Sequence, residues 1–165
     1  MAALTAGKAA PEFTLPTTGG QAWSLAEARR RGPVVLAFFK TSCPTCQLAF
    51  PYLQRLYEAY PNDRMSVVGV SQDSQQETLG FMSDYGVRFP VVLDDTQQFP
   101  ASNAYGLTNV PTILLIGRDG VIQVSSVGWA RREIEDINAG VAEATAVARR
   151  KIFHPGEDVP EFKSG

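Results

Sequence analysis

The chain has 165 residues, of which 44% are hydrophobic and 19% charged, and its formal net charge is −2. This length and composition are typical of one globular domain with its own hydrophobic core. The weak negative charge argues against nucleic acid or an anionic membrane surface as a partner, because both attract basic proteins.

The N-terminal third predicts short strands followed by a helix and a buried strand. Residues 8–25 read as loop and short strands with a turn at a Gly-Gly pair, and Ser24 caps a short helix. Val34–Phe39 is a continuous apolar run rich in β-formers, which predicts a strand buried on both faces. A helical pattern then runs from Pro44 to about Tyr60.

Strands and helices alternate along the rest of the chain. This order favours a largely parallel central sheet with helices on both faces, to which the Asp119-Gly120 turn adds an antiparallel hairpin at one edge. We expect one domain over residues 1–148 and an extended tail over 149–165, rich in Pro, Gly and charge. The elements predicted here are strands at 65–70, 89–93, 111–116 and 121–127 and helices at 74–85, 96–105 and 131–150.

Both cysteines of the chain, Cys43 and Cys46, stand three positions apart, which random placement would give roughly 1% of the time. A disulfide staple is disfavoured, since a reducing compartment opposes it and so short a loop constrains the unfolded chain little. A structural zinc site needs about four ligands. Besides the two cysteines the chain has only one histidine, His154, so a zinc site is disfavoured. Copper bound by the two thiols and this histidine stays open, as does a reversible redox pair.

The predicted position of the two cysteines favours the redox pair. Cys43 lies where the buried strand ends and the helix begins, and Pro44 suits the first helical turn. Free backbone N–H groups and the positive end of the helix dipole favour a thiolate there. Cys46 lies one turn later on the same face. A Cys43 thiolate can attack a substrate disulfide, and Cys46 can then release the reduced product.

Three segments resemble thioredoxin-fold proteins, and more narrowly the redoxin group that includes TlpA/ResA-type thiol–disulfide oxidoreductases and AhpC/TSA proteins. They are residues 10–16, the Cys-Pro-Thr-Cys segment with Pro51, and residues 105–112 followed by Arg-Asp-Gly. The resemblance covers about residues 5–148. It implies a thioredoxin-like α/β fold, with a central mixed β-sheet flanked by helices on both faces and an N-terminal hairpin extension.

The same resemblance implies an activity. The protein would be a thiol–disulfide oxidoreductase that exchanges disulfides with a protein or small-thiol partner. It would use no cofactor or metal, and its electrons would come from an external reductant. The resemblance leaves the oligomeric state open.

The resemblance also assigns roles to individual residues. Cys43 would be the attacking nucleophile and Cys46 the resolving thiol. Val110-Pro111 would be a cis peptide bond beside the cysteines, so that Pro111 shapes a groove and the backbone of Val110 pairs with an extended substrate segment. The alternative is a trans proline that opens an ordinary edge strand.

Three positions depart from the family pattern. Thioredoxins carry a buried aspartate and a tryptophan where this chain has Ala37 and Ser42, and TlpA/ResA-type proteins usually carry a glutamate where it has Ala49. Either carboxylate could relay the proton of the buried thiol. We therefore expect proton transfer at Cys46 to use water or another group.

Two charged residues are candidates for support of the cysteines. Lys40 lies three residues before Cys43, and its ammonium would favour the thiolate. The alternative is a lysine that points to solvent, as most lysines do. Glu12 is a second candidate, whose position only the fold can give.

Peroxiredoxins share the fold and are the main alternative family. Their peroxidatic cysteine follows a threonine or serine by three residues and a proline by seven. Relative to Cys43 these positions hold Lys40 and Leu36, and relative to Cys46 they hold Cys43 and Phe39. The missing hydroxyl argues against fast peroxide reduction. A thiol peroxidase stays an alternative, as does a non-catalytic or copper-handling binding module on the same fold.

The sequence also bears on localisation. No apolar stretch approaches the ~20 residues of a membrane-spanning helix. The N-terminus lacks the charged start and apolar core of a signal peptide. We therefore expect a cytoplasmic protein, or a periplasmic one if a leader has been removed.

Overall fold

The computed structural model describes residues 3–165, so that Met1 and Ala2, with which the predicted domain begins, lie outside the described residues. No helix in the described part is both long enough and apolar enough to cross a membrane.

The elements are β1 (Thr14–Pro16), β2 (Ala22–Ser24), α1 (Leu25–Arg29), β3 (Val34–Phe39), α2 (Pro44–Ala59), β4 (Ser66–Ser71), α3 (Gln75–Tyr85), β5 (Val91–Leu93), α4 (Pro100–Ala104), β6 (Thr112–Ile116), β7 (Ile122–Val127), β8 (Trp129–Ala130), α5 (Arg131–Thr145) and β9 (Phe162–Lys163).

Five strands form the central sheet in the order β5-β4-β3-β6-β7. β3 pairs in parallel with β4, and β4 with β5, whereas β6 is antiparallel to both β3 and β7. The sheet is therefore mixed, as the family resemblance implies, and the expectation of a largely parallel sheet is wrong. The five-residue α4 is about 7.5 Å long and too short to carry the chain back across the sheet, so β6 starts at the edge where β3 ends.

Side chains of β3 alternate between two cores on opposite faces of the sheet. Phe39 packs against Phe50 of α2 and Phe81 of α3, with ring centroids 4.3 and 4.9 Å away. Phe38 faces the other core and lies 5.2 Å from the ring of Tyr105. Helices α2, α3 and α5 cover the first face, and α1 and α4 the second. All six residues of β3 are buried, which confirms the strand predicted from the apolar run.

Two predicted helices are shorter in the structure. α4 begins only at Pro100 because Phe99 before it has a left-handed backbone, with φ of 48°. α5 ends at Thr145 because Ala146 is also left-handed, with φ of 56°. The chain then turns back, and the side-chain amide of Asn138 donates to the carbonyl of Arg150 (2.7 Å). Such reversals depend on long-range contacts, which helical periodicity does not report.

The C-terminal tail, residues 149–165, packs against the domain. Arg55 of α2 donates two hydrogen bonds to the carboxylate of Glu157 (2.7 and 2.6 Å), which lower the pKa of Glu157 to about 2. Further on, β9 pairs antiparallel with β8. The tail thereby has a defined path across the protein. Three of its apolar side chains are buried in the core beside α2 and α5: Ile152, Phe153 and Val159.

We expect Ser74→Ala to lower the free energy of unfolding by about 1 kcal/mol, because Ser74 caps α3. Its hydroxyl oxygen accepts the backbone N–H of Glu77 (3.2 Å), which alanine cannot do. Urea unfolding followed by circular dichroism measures the loss. Ser83→Ala, at an exposed position of the same helix, is the control and should not destabilise, since alanine is the better helix former. Equal losses in both variants would contradict the capping role.

Candidate active site

Cys43 lies at the junction between β3 and α2, as the sequence predicts. It is the N-cap residue of α2, and its Sγ accepts the backbone N–H of Cys46 at 3.2 Å. Pro44 occupies the first turn of α2, where the backbone N–H that proline lacks would have no partner within the helix. The backbone N–H of Cys43 donates to the carbonyl of Lys40 (3.2 Å), which fixes the turn after the strand. The Cys43 sulfur therefore lies at the N-terminus of α2, next to backbone N–H groups.

A second loop meets Cys43 from the start of β6. Its Val110-Pro111 bond is cis, as the resemblance implies. The Cys43 thiol donates to the carbonyl of Val110 at 3.5 Å. The loop is held in place by the Thr112 hydroxyl, which donates to the carbonyl of Asn109 (2.7 Å). Residues separated by 67 positions in the chain thus form one site.

Cys46 is buried beneath Cys43 and has no exposed surface. Burial raises the pKa of its thiol strongly, and its hydrogen bond with Cys43 raises it further. Both cysteines are free thiols. The pair therefore combines a partly exposed sulfur at a helix N-terminus with a protonated sulfur one turn inside the helix.

The carboxylate that acts on this pair is one that the sequence analysis missed. Glu12 pairs with Arg29, its Oε1 accepting from Nε at 3.0 Å. Asp73 instead lies beside the active-site loop, where its carboxylate accepts the backbone N–H of Thr41 (2.7 Å), and its charge contributes to the raised pKa of Cys46. The signal was present in the sequence, because Asp73 follows β4, and parallel neighbours such as β3 and β4 end at the same edge of the sheet.

Lys40 is exposed and borders the site from the end of β3. With Val110 and Gly165 it surrounds a surface cavity of about 330 Å³. Its backbone carbonyl, rather than its ammonium, makes the contact to Cys43. A role of the ammonium in stabilising a thiolate stays a prediction.

His154 lies in the tail with an exposed side chain. Its imidazole Nδ1 is 4.0 Å from the carboxylate of Glu157. Within residues 3–165, no group of three or more His, Cys, Asp or Glu side chains is arranged to hold a metal ion.

Residues 6–125 match the AhpC/TSA family. The chain belongs to this family. It is also similar to the thiol-disulfide oxidoreductase ResA of Bacillus subtilis, with 34% identity over 72% of this chain and 65% of that protein. The ResA protein of Halalkalibacterium halodurans is 30% identical over 79% of this chain and 74% of its own length.

Solved structures support the fold. The thioredoxin domain of a thiol-disulfide oxidoreductase from Bacteroides vulgatus superimposes with a TM-score of 0.73 at 22% identity, over 85% of this chain and 97% of that one. The thioredoxin-like fold and the TlpA/ResA-type redoxin group predicted from the sequence are confirmed. The relatives also confirm that the chain is an enzyme of the thiol–disulfide oxidoreductase class.

Proposed function

We propose that this protein exchanges disulfides with an extended segment of a partner polypeptide, using Cys43 as nucleophile and Cys46 as resolving thiol. The observation that carries the proposal is the placement of the Cys43 sulfur. It accepts the N–H of Cys46 at 3.2 Å and lies 3.5 Å from the carbonyl of Val110, so that the nucleophile lies beside the backbone with which a substrate strand would pair.

The reaction balances as two thiol–disulfide exchanges. The Cys43 thiolate attacks one sulfur of the substrate disulfide, the substrate S–S bond breaks, and the departing sulfur takes up a proton. Cys46 then loses its proton and attacks the Cys43 sulfur. The mixed disulfide breaks, the second substrate thiol leaves, and a Cys43–Cys46 disulfide forms. Two electrons pass to the substrate, and an external reductant restores the pair.

The remaining predicted residues have supporting roles in this proposal. Pro111 and Val110 border the surface where a substrate strand lies, and backbone pairing there tolerates many sequences. Pro44 starts the helix whose N-terminus stabilises the thiolate. Lys40 adds a positive charge at the rim of the same cavity.

The test is a redox titration of the reduced protein in dithiothreitol or glutathione buffers, with the thiols quantified at each point. We expect a reversible two-electron couple, in which the ratio of dithiol to disulfide protein changes tenfold for about every 30 mV of buffer potential. The single-cysteine variant Cys46→Ser is the control, since it cannot close the intramolecular disulfide. A protein that never forms that disulfide reversibly would contradict the proposal and favour a binding module on the same fold.

The midpoint potential of this titration also indicates the direction of electron flow. It tests in addition whether the protein works in a reducing or an oxidising compartment. A value near that of thioredoxin, about −270 mV, would make the protein a reductant of other proteins' disulfides and fit the predicted cytoplasmic site. A value near about −120 mV would make it a disulfide donor and argue for an oxidising compartment.

A further inference from the structure

The last six residues of the tail, 160–165, cross the candidate active site; we refer to them as the strap. The strap begins where the indole N–H of Trp129 donates to the carbonyl of Pro160 (2.8 Å). The backbone N–H of Arg131 then donates to the carbonyl of Glu161 (2.9 Å), and β9 pairs with β8. These contacts lead the chain along the edge of β8 towards the cysteines.

The strap contacts the Cys-Pro-Thr-Cys segment directly. The hydroxyl of Thr45, between the two cysteines, donates to the backbone carbonyl of Ser164 at 2.7 Å. Thr45 is only 3% exposed, although it lies at the solvent-facing end of α2 between the exposed Pro44 and the buried Cys46. A hydroxyl that binds a backbone carbonyl recognises an extended chain without regard to its side chains.

The strap also meets the loop that carries Val110. Gly165 lies so close that a Cβ atom on it would be 1.9 Å from the Val110 carbonyl oxygen, the same oxygen that accepts the Cys43 thiol. On its other side, a Cβ on Gly128 would lie 2.9 Å from the carbonyl of Lys163. Glycine at 128 and 165 thus permits the strap to lie closely against the site.

The strap occupies the surface that a substrate strand needs. An extended segment that reaches the Cys43 sulfur and the Val110 backbone has to pass the position of Gly165, and two chains cannot lie there together. The strap is held mainly by backbone groups, and its residues from Glu161 to Gly165 are exposed, with Phe162 63% exposed. Upstream, the tail is fixed by Val159 in the core and by Glu157 on Arg55. Residues 160–165 can therefore leave while the rest of the tail stays in place.

We propose that the strap is a built-in competitor of the polypeptide substrate, which must displace residues 160–165 to reach Cys43. The proposal rests on the function given above and adds a regulation to it. Only molecules with the strap displaced bind substrate, so the apparent affinity equals the intrinsic affinity multiplied by the fraction of molecules in which the strap is displaced. A small disulfide needs less of the groove than a polypeptide and is therefore less affected.

The experiment compares the wild-type chain with the variant Lys163→Pro/Gly165→Val and with each single substitution. Proline at 163 cannot donate a backbone hydrogen bond to β8, and a valine side chain at 165 meets the Val110 carbonyl. Lys163→Ala is the matched control, since it removes the same charge and keeps the backbone N–H. Thermal unfolding checks that all variants are folded, which we expect because both positions are exposed.

Three quantities are measured: kcat/KM for insulin, kcat/KM for oxidised glutathione, and the rate at which a bulky maleimide labels Cys43. We expect the double variant to raise kcat/KM for insulin about tenfold, to change that for glutathione less, and to speed labelling. Unchanged insulin reduction and labelling would overturn the proposal. A loss of insulin reduction would also overturn it, because the strap would then be part of the substrate site. Faster labelling with no disulfide reduction by any variant would overturn the proposed function while leaving the strap as the cover of Cys43.

Discussion

Cys43→Ser should abolish disulfide reduction, with turnover at least ~1,000-fold below that of the wild-type chain. The reason is chemical, because the thiolate and not a hydroxyl attacks a disulfide at neutral pH. The serine hydroxyl fits the same N-cap position and can accept the N–H of Cys46, so the fold should survive. Reduction of insulin by dithiothreitol-recycled protein measures the loss.

Cys46→Ser should fail differently from Cys43→Ser. It keeps the nucleophile, so the first exchange proceeds, but no thiol remains to break the mixed disulfide. We expect a covalent complex that mass spectrometry detects and that dithiothreitol releases. Ser42→Ala, at the exposed neighbouring position, is the control and should retain turnover. A Cys43→Ser variant that still forms the covalent complex would show that Cys46, despite its burial, is the nucleophile.

The sequence predicts those parts of the site that depend only on residues close together in the chain. The apolar run of β3, the Cys-Pro start of α2 and the short helix capped by Ser24 depend on neighbours in the chain, and the structure has all three. The cis bond before Pro111 came from family resemblance rather than from any local pattern. The predicted roles of Lys40, Val110 and Pro111 stay predictions, although the structure brings all three to the site.

The parts that the sequence missed depend on contacts between distant residues. The bond from Thr45 to Ser164 joins positions 119 apart, and no periodicity in a Pro-, Gly- and charge-rich tail indicates where the tail lies. Asp73 occupies none of the positions at which the related proteins carry a carboxylate, so the family pattern does not point to it. The order of the strands indicates the edge of the sheet at which Asp73 lies, but its hydrogen bond with Thr41 also depends on the register of β3 and β4, which only the folded sheet fixes.

The release of product by Cys46 should depend steeply on pH. Burial raises the pKa of the Cys46 thiol, and burial persists in the mixed disulfide, where Cys43 carries no charge. Below that pKa the thiolate fraction grows tenfold per pH unit, so we expect the release rate to rise about 100-fold between roughly pH 7 and pH 9. Loading Cys43 with thionitrobenzoate and following its release at each pH measures this step alone. A rate that does not change with pH would contradict it and indicate a group that takes the proton within the protein.

Asp73→Asn identifies what that carboxylate contributes to the same step. Burial is the main reason that the pKa of Cys46 is raised, and the negative charge of Asp73 adds a smaller increase. The Asp73 carboxylate accepts the N–H of Thr41 rather than a hydrogen bond from the thiol. We therefore expect the neutral variant to release thionitrobenzoate a few-fold faster at a given pH, with the pH slope kept. Asp84→Asn, on the exposed side of α3, is the control and should leave the rate unchanged. A slower release in Asp73→Asn, with a flattened pH profile, would instead make Asp73 the proton acceptor that replaces the missing family carboxylates.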